Sequence, residues 1–284
     1  MRHLYPDRRR PSVIRSAMIA AAGLVPLLVS PEASADQLGY RDTPLLPGQS
    51  WRVHDRDRPR PLAVTPGATP ADAPADAIIL FSGRDLSQWH SLAAWTAKRG
   101  VMHLPAEKEG RASGNLISRQ AFGDVQLHLE YRTSPKIVGK GAANAQLRAN
   151  SGILFMGRYE LQILDSYEST TYADGQAAAI YGQHPPLVNA SRRPGQWQTL
   201  DILFERPRFS PDGSLARPAY ITAFHNGLLV HLRRPLLGAT RHKAVAAYTV
   251  HADALPIELQ DHVDHEVGVD FRNIWVRRLE SIEP

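Results

Sequence analysis

The chain has no cysteine among its 284 residues. This excludes disulfides, a thiol nucleophile and the lipidated cysteine of a bacterial lipoprotein. No apolar run is long enough to span a bilayer, no repeat recurs at a fixed period, and no segment carries a long, well-capped 3.6-residue pattern. A G-x-S-x-G elbow, a phosphate loop and an HExxH helix are also missing, which removes the familiar serine, nucleotide and zinc-hydrolase chemistries. No basic stripe is interleaved with aromatics, so a nucleic-acid partner is not expected.

What is present starts with a leader. Arg8, Arg9, Arg10 and Arg15 form a basic region, Ala17 to Val29 is apolar, and Ala33-Ser34-Ala35 is a small-residue cleavage site. Residues 1–35 therefore read as a secretory signal peptide, too short in its apolar part to be an anchor. The residues around Arg9-Arg10 fit the twin-arginine signal poorly. Cleavage after Ala35 removes five Arg and two acidic residues, so the formal charge falls from +5 to about +2. The expected destination is the periplasm or the medium, with no transmembrane segment in the mature chain.

Residues 36–76 hold seven prolines and little apolar periodicity, the pattern of a linker or an ordered arm without a core; Trp51 is its one candidate for docking. The folded domain is expected over 77–284. Strand signals are frequent there. AIILF (77–81), VQLHLEYR (125–132), GILFM followed by YELQIL across Gly157-Arg158, QWQTLDILFE (196–205), YITAFH and LLVHL flanking Asn226-Gly227, and VGVDFRNIWVRRL (267–279) all alternate or run apolar over strand lengths. AVAAY (244–248) is read as one short helical turn. Many short strands between turn residues predict an all-β, antiparallel β-sandwich with little helix.

Alternation also nominates a site. In YELQIL, Tyr159, Leu161 and Ile163 share one face and Glu160 and Gln162 the other, so a carboxylate and an amide stand opposite the core. In ELQDH (258–262), Glu258, Gln260 and His262 share a face. Two polar strands of this kind suggest a polar groove on the outside of a sheet. His225, beside the Asn226-Gly227 turn, is placed at its rim, and Tyr181, in the loop IYGQHPP, is placed to stack on a sugar. Each residue has a plain alternative as solvated surface or a covering side chain. Glu160 and Asp165 are an odd number of positions apart, which argues against a two-carboxylate glycosidase.

With LFSGRDLSQW (80–89), NSGILF (150–155), YELQILDSY (159–167), AIYGQHPP (179–186), NASRRPGQWQTLDILFERPRF (189–209), HNG (225–227), LQDH (259–262) and FRNIWVRRL (271–279) in this order, the chain resembles the 3-keto-disaccharide hydrolase domain family over roughly 77–280. The resemblance implies a concanavalin-like jelly roll and cleavage of glycosides already oxidised at carbon 3. A ketone there acidifies the proton on carbon 2, so a modest base can remove it and expel the glycosidic oxygen. Such a route needs a base, a proton donor and an enolate stabiliser.

His262 is the expected base or acid, because imidazole titrates near working pH. Glu160 is its partner or a metal ligand. Gln162, Gln260 and Asn226 are expected to hold sugar hydroxyls, and Arg272 to stabilise the enolate or to anchor Asp165, whose own part is structural. No cofactor is assigned; a divalent metal is the alternative, because Asp261, His262, Asp264, His265 and Glu266 crowd together, although consecutive residues cannot all face one ion. The chain departs from the family in the stretch VDHEVGVD after His262 and in the long SPKIVGKGAANAQLRA (134–149) before NSGILF. Two readings stay open: an exported enzyme acting on 3-keto-glycosides, and a lectin-like module that binds glycans without turnover. A scaffold whose groove binds a peptide is the third.

Overall fold

We describe the protein from a computed structural model, over residues 38–90, 95–104, 114–136, 146–262 and 268–279. The expected signal peptide, most of the 134–149 stretch and residues 263–267 lie outside the described residues. The chain divides into two units, Met1–Arg60 and Pro61–Pro284.

In the first unit no described residue is buried, so residues 38–60 have no core. They hold their shape through backbone bonds from Tyr40 N to His54 O (2.8 Å), Leu46 N to Trp51 O (2.9 Å) and Val53 N to Pro44 O (2.9 Å). An exposed Arg41–Asp57 pair at 3.0 Å adds little. Trp51 is half-buried at the end of that turn.

The second unit opens with a stretch, 61–76, that lacks regular structure yet lies on a sheet. The carbonyl of Ala71 accepts from Asn273 Nδ2 (2.8 Å) and Trp275 Nε1 (2.9 Å), and Asp76 pairs with Arg277 at 2.6 Å. From there the regular structure is almost entirely antiparallel strand. One sheet runs β13 (Leu228–Pro235), β12 (Tyr220–His225), β9 (Gln198–Glu205), β6 (Val125–Thr133), β15 (Val269–Arg278), β4 (Val101–Leu104) and β3 (Thr96–Lys98), with β1 (Ile78–Phe81) also paired to β15. The other runs β2 (Trp89–His90), β5 (Leu116–Phe122), β14 (Leu255–Leu259), β7 (Ser151–Phe155) and β8 (Tyr159–Ile163). A small ribbon joins β10 (Arg208–Phe209) and β11 (Leu215–Arg217). This is an antiparallel β-sandwich, as the strand pattern predicts, of the kind that the family resemblance implies.

The reason is period-two alternation. Leu127, Leu129 and Tyr131 of β6 and Leu200, Ile202 and Phe204 of β9 face Ile153, Phe155, Tyr159, Leu161 and Ile163 of β7 and β8 across one buried core. Phe155 stacks on Phe204 at 4.6 Å between ring centroids. Each such side chain contributes about 1.5–3 kcal/mol on burial. Both predicted hairpins form. Asn226 (φ 52°) and Gly227 (φ 80°) turn β12 into β13, and Met156 (φ 57°) and Gly157 (φ 62°) turn β7 into β8, the paired positive φ values of a turn that matches strand twist. Residues 244–248 do not form the expected helical turn. Ala244 sits in a bend and 245–248 carry no regular structure, because this apolar-looking pentapeptide is too short to hold a helix nucleus without tertiary support.

One feature of the smaller sheet positions the site. β8 stands last in the strand order, and the segment 178–181 lies along it. Gln162 N donates to Ala179 O (2.9 Å), Ala178 N to Gln162 O (2.8 Å) and Tyr181 N to Glu160 O (3.2 Å). Ala177 to Ile180 are all buried, so small side chains let this segment approach β8 closely.

Candidate active site

On the outer face of the smaller sheet lies a cavity of about 750 Å³. Its floor is Leu154, Glu160 and Gln162, its walls Gln146, Asn150, Gln260, His262, Tyr172 and Tyr181, and its rim Arg158 and the loop 239–243. Five of the sequence-nominated residues, Glu160, Gln162, Tyr181, Gln260 and His262, therefore meet in one place.

Glu160 is 4% exposed, and none of the described residues hydrogen-bonds its carboxyl group. Burial alone pushes its pKa up to about 7, so near neutral pH it holds a proton about half the time. The β7 backbone passes close beneath it at Gly152, where a β-carbon would collide with Glu160 Oε1. Only glycine leaves that space. The strand alternation that turns Glu160 outward turns Gln162 outward as well. Gln162 Nε2 points toward Asn150 Oδ1 (3.3 Å) and Gln146 Oε1 (3.4 Å), long contacts, while Gln162 Oε1 is buried without a partner among the described residues. Gln260 Oε1 is in the same condition. Two orphaned amide oxygens in one cavity are costly unless a ligand's donors meet them.

The wall on the far side comes from loops. Tyr181 is delivered by the 178–181 segment, and its hydroxyl bonds Tyr172 OH (2.8 Å) and His242 Nδ1 (3.0 Å). Burial, the bond to Tyr172 and the nearby Glu160 and Asp174 all raise its pKa, so it stays a neutral phenol. Loop 239–243 is clipped to β8 at Thr240, whose N–H donates to Arg158 O (2.8 Å) and whose hydroxyl accepts from Glu160 N–H (3.0 Å). Gln183 holds the loop's approach, accepting from Leu237 N (2.7 Å) and donating to Gly238 O (3.1 Å).

Three other expectations are corrected. His225 is not at a groove rim: it faces inward from β12, 1% exposed, with Nε2 at 3.0 Å from both Tyr131 OH and Gln198 Oε1. Burial, and next the charge of Arg192, lowers its pKa to about 4, so it is a neutral core histidine. Asn226 holds its own turn, accepting from Thr199 N (2.9 Å) and donating to Ala190 O (2.8 Å). Arg272 lies on the outer face of the larger sheet, paired with Glu130 (2.5 Å) and stacked 4.1 Å from the Trp197 ring, so it neither reaches the cavity nor anchors Asp165. Asp165 is held instead by Arg148 (2.5 Å), and Tyr167 N–H donates to it (3.1 Å); its pKa is raised by burial against that pairing. Its structural part stands with a different partner. Glu258 shares the outer face of Gln260, as the alternation predicts, because Ile257 and Leu259 point into the core; there it accepts from Asn115 Nδ2 (2.7 Å) and lies against the Gly157 turn.

Asp261 faces away from the cavity, accepting from Gly114 N (3.0 Å). Among the described residues no three His, Asp or Glu converge as a metal site. Asp264, His265 and Glu266 of the acidic cluster lie outside them. Sequence reasoning missed Tyr172, Gln146, Asn150 and Arg158 and the Thr240–Lys243 loop. The run TRHK (240–243), three basic residues after a Leu-Leu-Gly turn, was the available signal.

A cavity of this size with convergent polar groups is a candidate small-molecule site. The chain belongs to the 3-keto-alpha-glucoside-1,2-lyase-like domain family, whose model matches residues 76–277. It is similar, at 36% identity and TM-score 0.72 over 83% of this chain and 100% of the other, to a provisionally named glycosyl hydrolase from Parabacteroides distasonis ATCC 8503. A second protein so named from that organism matches at 18% identity and TM-score 0.51 over 72% of this chain and 99% of its own, a likeness of fold. No curated protein matches. Family and neighbour together support a carbohydrate-active role. No helix of the described residues is long and apolar enough to cross a membrane.

Proposed function

We propose that the protein is an exported enzyme that cleaves 3-keto-glycosides at the glycosidic bond, by elimination and then hydration. The observation that carries this is Glu160, a buried carboxyl group with a pKa near 7 facing a cavity that also holds His262 and two orphaned glutamine oxygens. Its pKa is matched to proton transfer at neutral pH.

In this reading His262 removes the proton from carbon 2, and the electron pair forms an enolate with the carbon 3 ketone. The enolate collapses to a carbon 1–carbon 2 double bond and breaks the bond to the glycosidic oxygen, which takes the proton of Glu160. Water then adds at carbon 1, losing a proton to the Glu160 carboxylate, while His262 returns its proton to carbon 2. The sum is hydrolysis, and both groups end as they began. Arg158, in the main cavity, takes the enolate-stabilising part once expected of Arg272. Gln162 and Gln260 accept hydrogen bonds from sugar hydroxyls.

The test is incubation of 3-keto-disaccharides and their unoxidised parents with the wild type and His262→Ala, with and without added divalent metal, read by mass spectrometry. Release of a 3-keto-monosaccharide by the wild type and its loss in the variant is expected. Sugar binding with no release from any substrate sinks the enzyme and leaves a lectin-like module.

A further inference from the structure

The cavity does not end at the tyrosines. A second lobe of about 460 Å³ shares Tyr172, Tyr181, Arg241, His242 and Lys243 with it and continues to Ala244 and Val245. The first lobe contains Glu160, Gln162, Gln260 and His262; the second contains none of them. If bond cleavage occurs beside Glu160, the second lobe is where the departing part of a glycoside lies.

The junction between the lobes is positively charged. Arg241 and Lys243 line both and make no ion pair among the described residues, while Arg132, Arg148, Arg208, Arg272 and Arg277 are each paired with a carboxylate. Among the described residues Asp174 is the one carboxylate on the second lobe, set against two cations. Glu160 does not neutralise them either: its pKa responds to burial and to no neighbouring cation. Thr240 and Gln183 fix the loop that carries the two charges, so they are presented in place.

We propose that Arg241 and Lys243 form a subsite for a carboxylate, or an anion of similar size, on the leaving part of the substrate. This rests on the functional reading above for the direction of cleavage, though not for the binding itself. Val245 and Ala244 beside the cations suit an apolar or aromatic body that carries the charge.

The experiment uses 4-carboxyphenyl glucoside and its neutral methyl ester. Binding of both unoxidised glucosides to the full chain is measured by calorimetric titration, and turnover of their 3-keto forms by product release. The carboxylate is expected to bind about tenfold more tightly than the ester, with the preference reduced by salt, as partly exposed charges require. R241Q/K243Q should abolish the preference; R233Q, an exposed arginine paired with Glu205 on the larger sheet, should keep it. Equal binding of acid and ester, absence of binding by the acid, or a preference that survives R241Q/K243Q overturns the proposal. Selective binding without turnover of either 3-keto form keeps the subsite and removes the enzymatic reading; turnover without selectivity does the reverse.

Discussion

The outer faces of the two sheets carry similar residues and treat them differently. On the larger sheet His128 is bonded to Asp201 (2.7 Å), Glu130 to Arg272 (2.5 Å), and Asp270 to both Arg132 and His103 (2.5 Å each). Every one of these carboxylates has an imidazole or a guanidinium beside it. On the smaller sheet Glu160 has none, and the amide oxygens of Gln162 and Gln260 are buried without donors. A face whose polar groups satisfy one another is finished when the chain folds. A face whose buried polar groups are left over is finished only by a ligand.

The comparison breaks most sharply at Glu160. Glu160→Gln keeps the shape and removes the proton donor, and should lower kcat/KM by about 10³-fold, within the range for a general acid. An undiminished rate would put Glu160 in the same class as the paired residues opposite.

The same group should be visible in stability. Its pKa is about 7 folded against 4.5 unfolded, so the folded state holds the proton across that interval and the unfolded chain does not. Stability from this group is complete below pH 4.5, falls as pH rises, and is gone above about 7, a loss of about 3 kcal/mol. His225 and His231, each lowered to about 4, act oppositely and lose stability as pH falls from 6.5. The difference in unfolding free energy between wild type and Glu160→Gln, measured by urea titration at pH 4.5 and 7.5, isolates the carboxyl contribution. A flat difference would mean that Glu160 is ionised in the fold.

Gly152→Ala sharpens the contrast more gently. The added methyl displaces the end of Glu160 and not the backbone, so an activity loss of about tenfold with little change in melting temperature is expected. Smallest is Arg272→Ala. Removing a half-exposed pair and its stacking on Trp197 should cost about 1 kcal/mol and leave kcat/KM within about twofold, because the larger sheet's face takes no part in turnover.

Alternation made β8 legible: it separated Leu161 and Ile163 from Glu160 and Gln162 before any sheet was drawn, and the Asn226-Gly227 turn announced its hairpin. Alternation reports only core or not-core. It cannot say to which of two sheets a strand belongs, and so Arg272, expected to stabilise the enolate or to anchor Asp165, turns out to lie on the outer face of the other sheet. His225 failed for another reason: an inward histidine whose partners, Tyr131 and Gln198, lie 94 and 27 residues away leaves no local trace. The 240–243 loop joins the cavity through contacts of similarly long range, 80 residues from Glu160 to Thr240 and 61 from Tyr181 to His242.

The segment 178–181 has a further consequence. A terminal strand with bare N–H and C=O groups is a template on which another chain can grow a sheet. Three buried residues, Ala178, Ala179 and Ile180, and then the tyrosine that walls the cavity occupy that row on β8. The backbone that would have invited self-association is used up in holding Tyr181 over Glu160, so solubility and the shape of the groove depend on the same stretch of main chain.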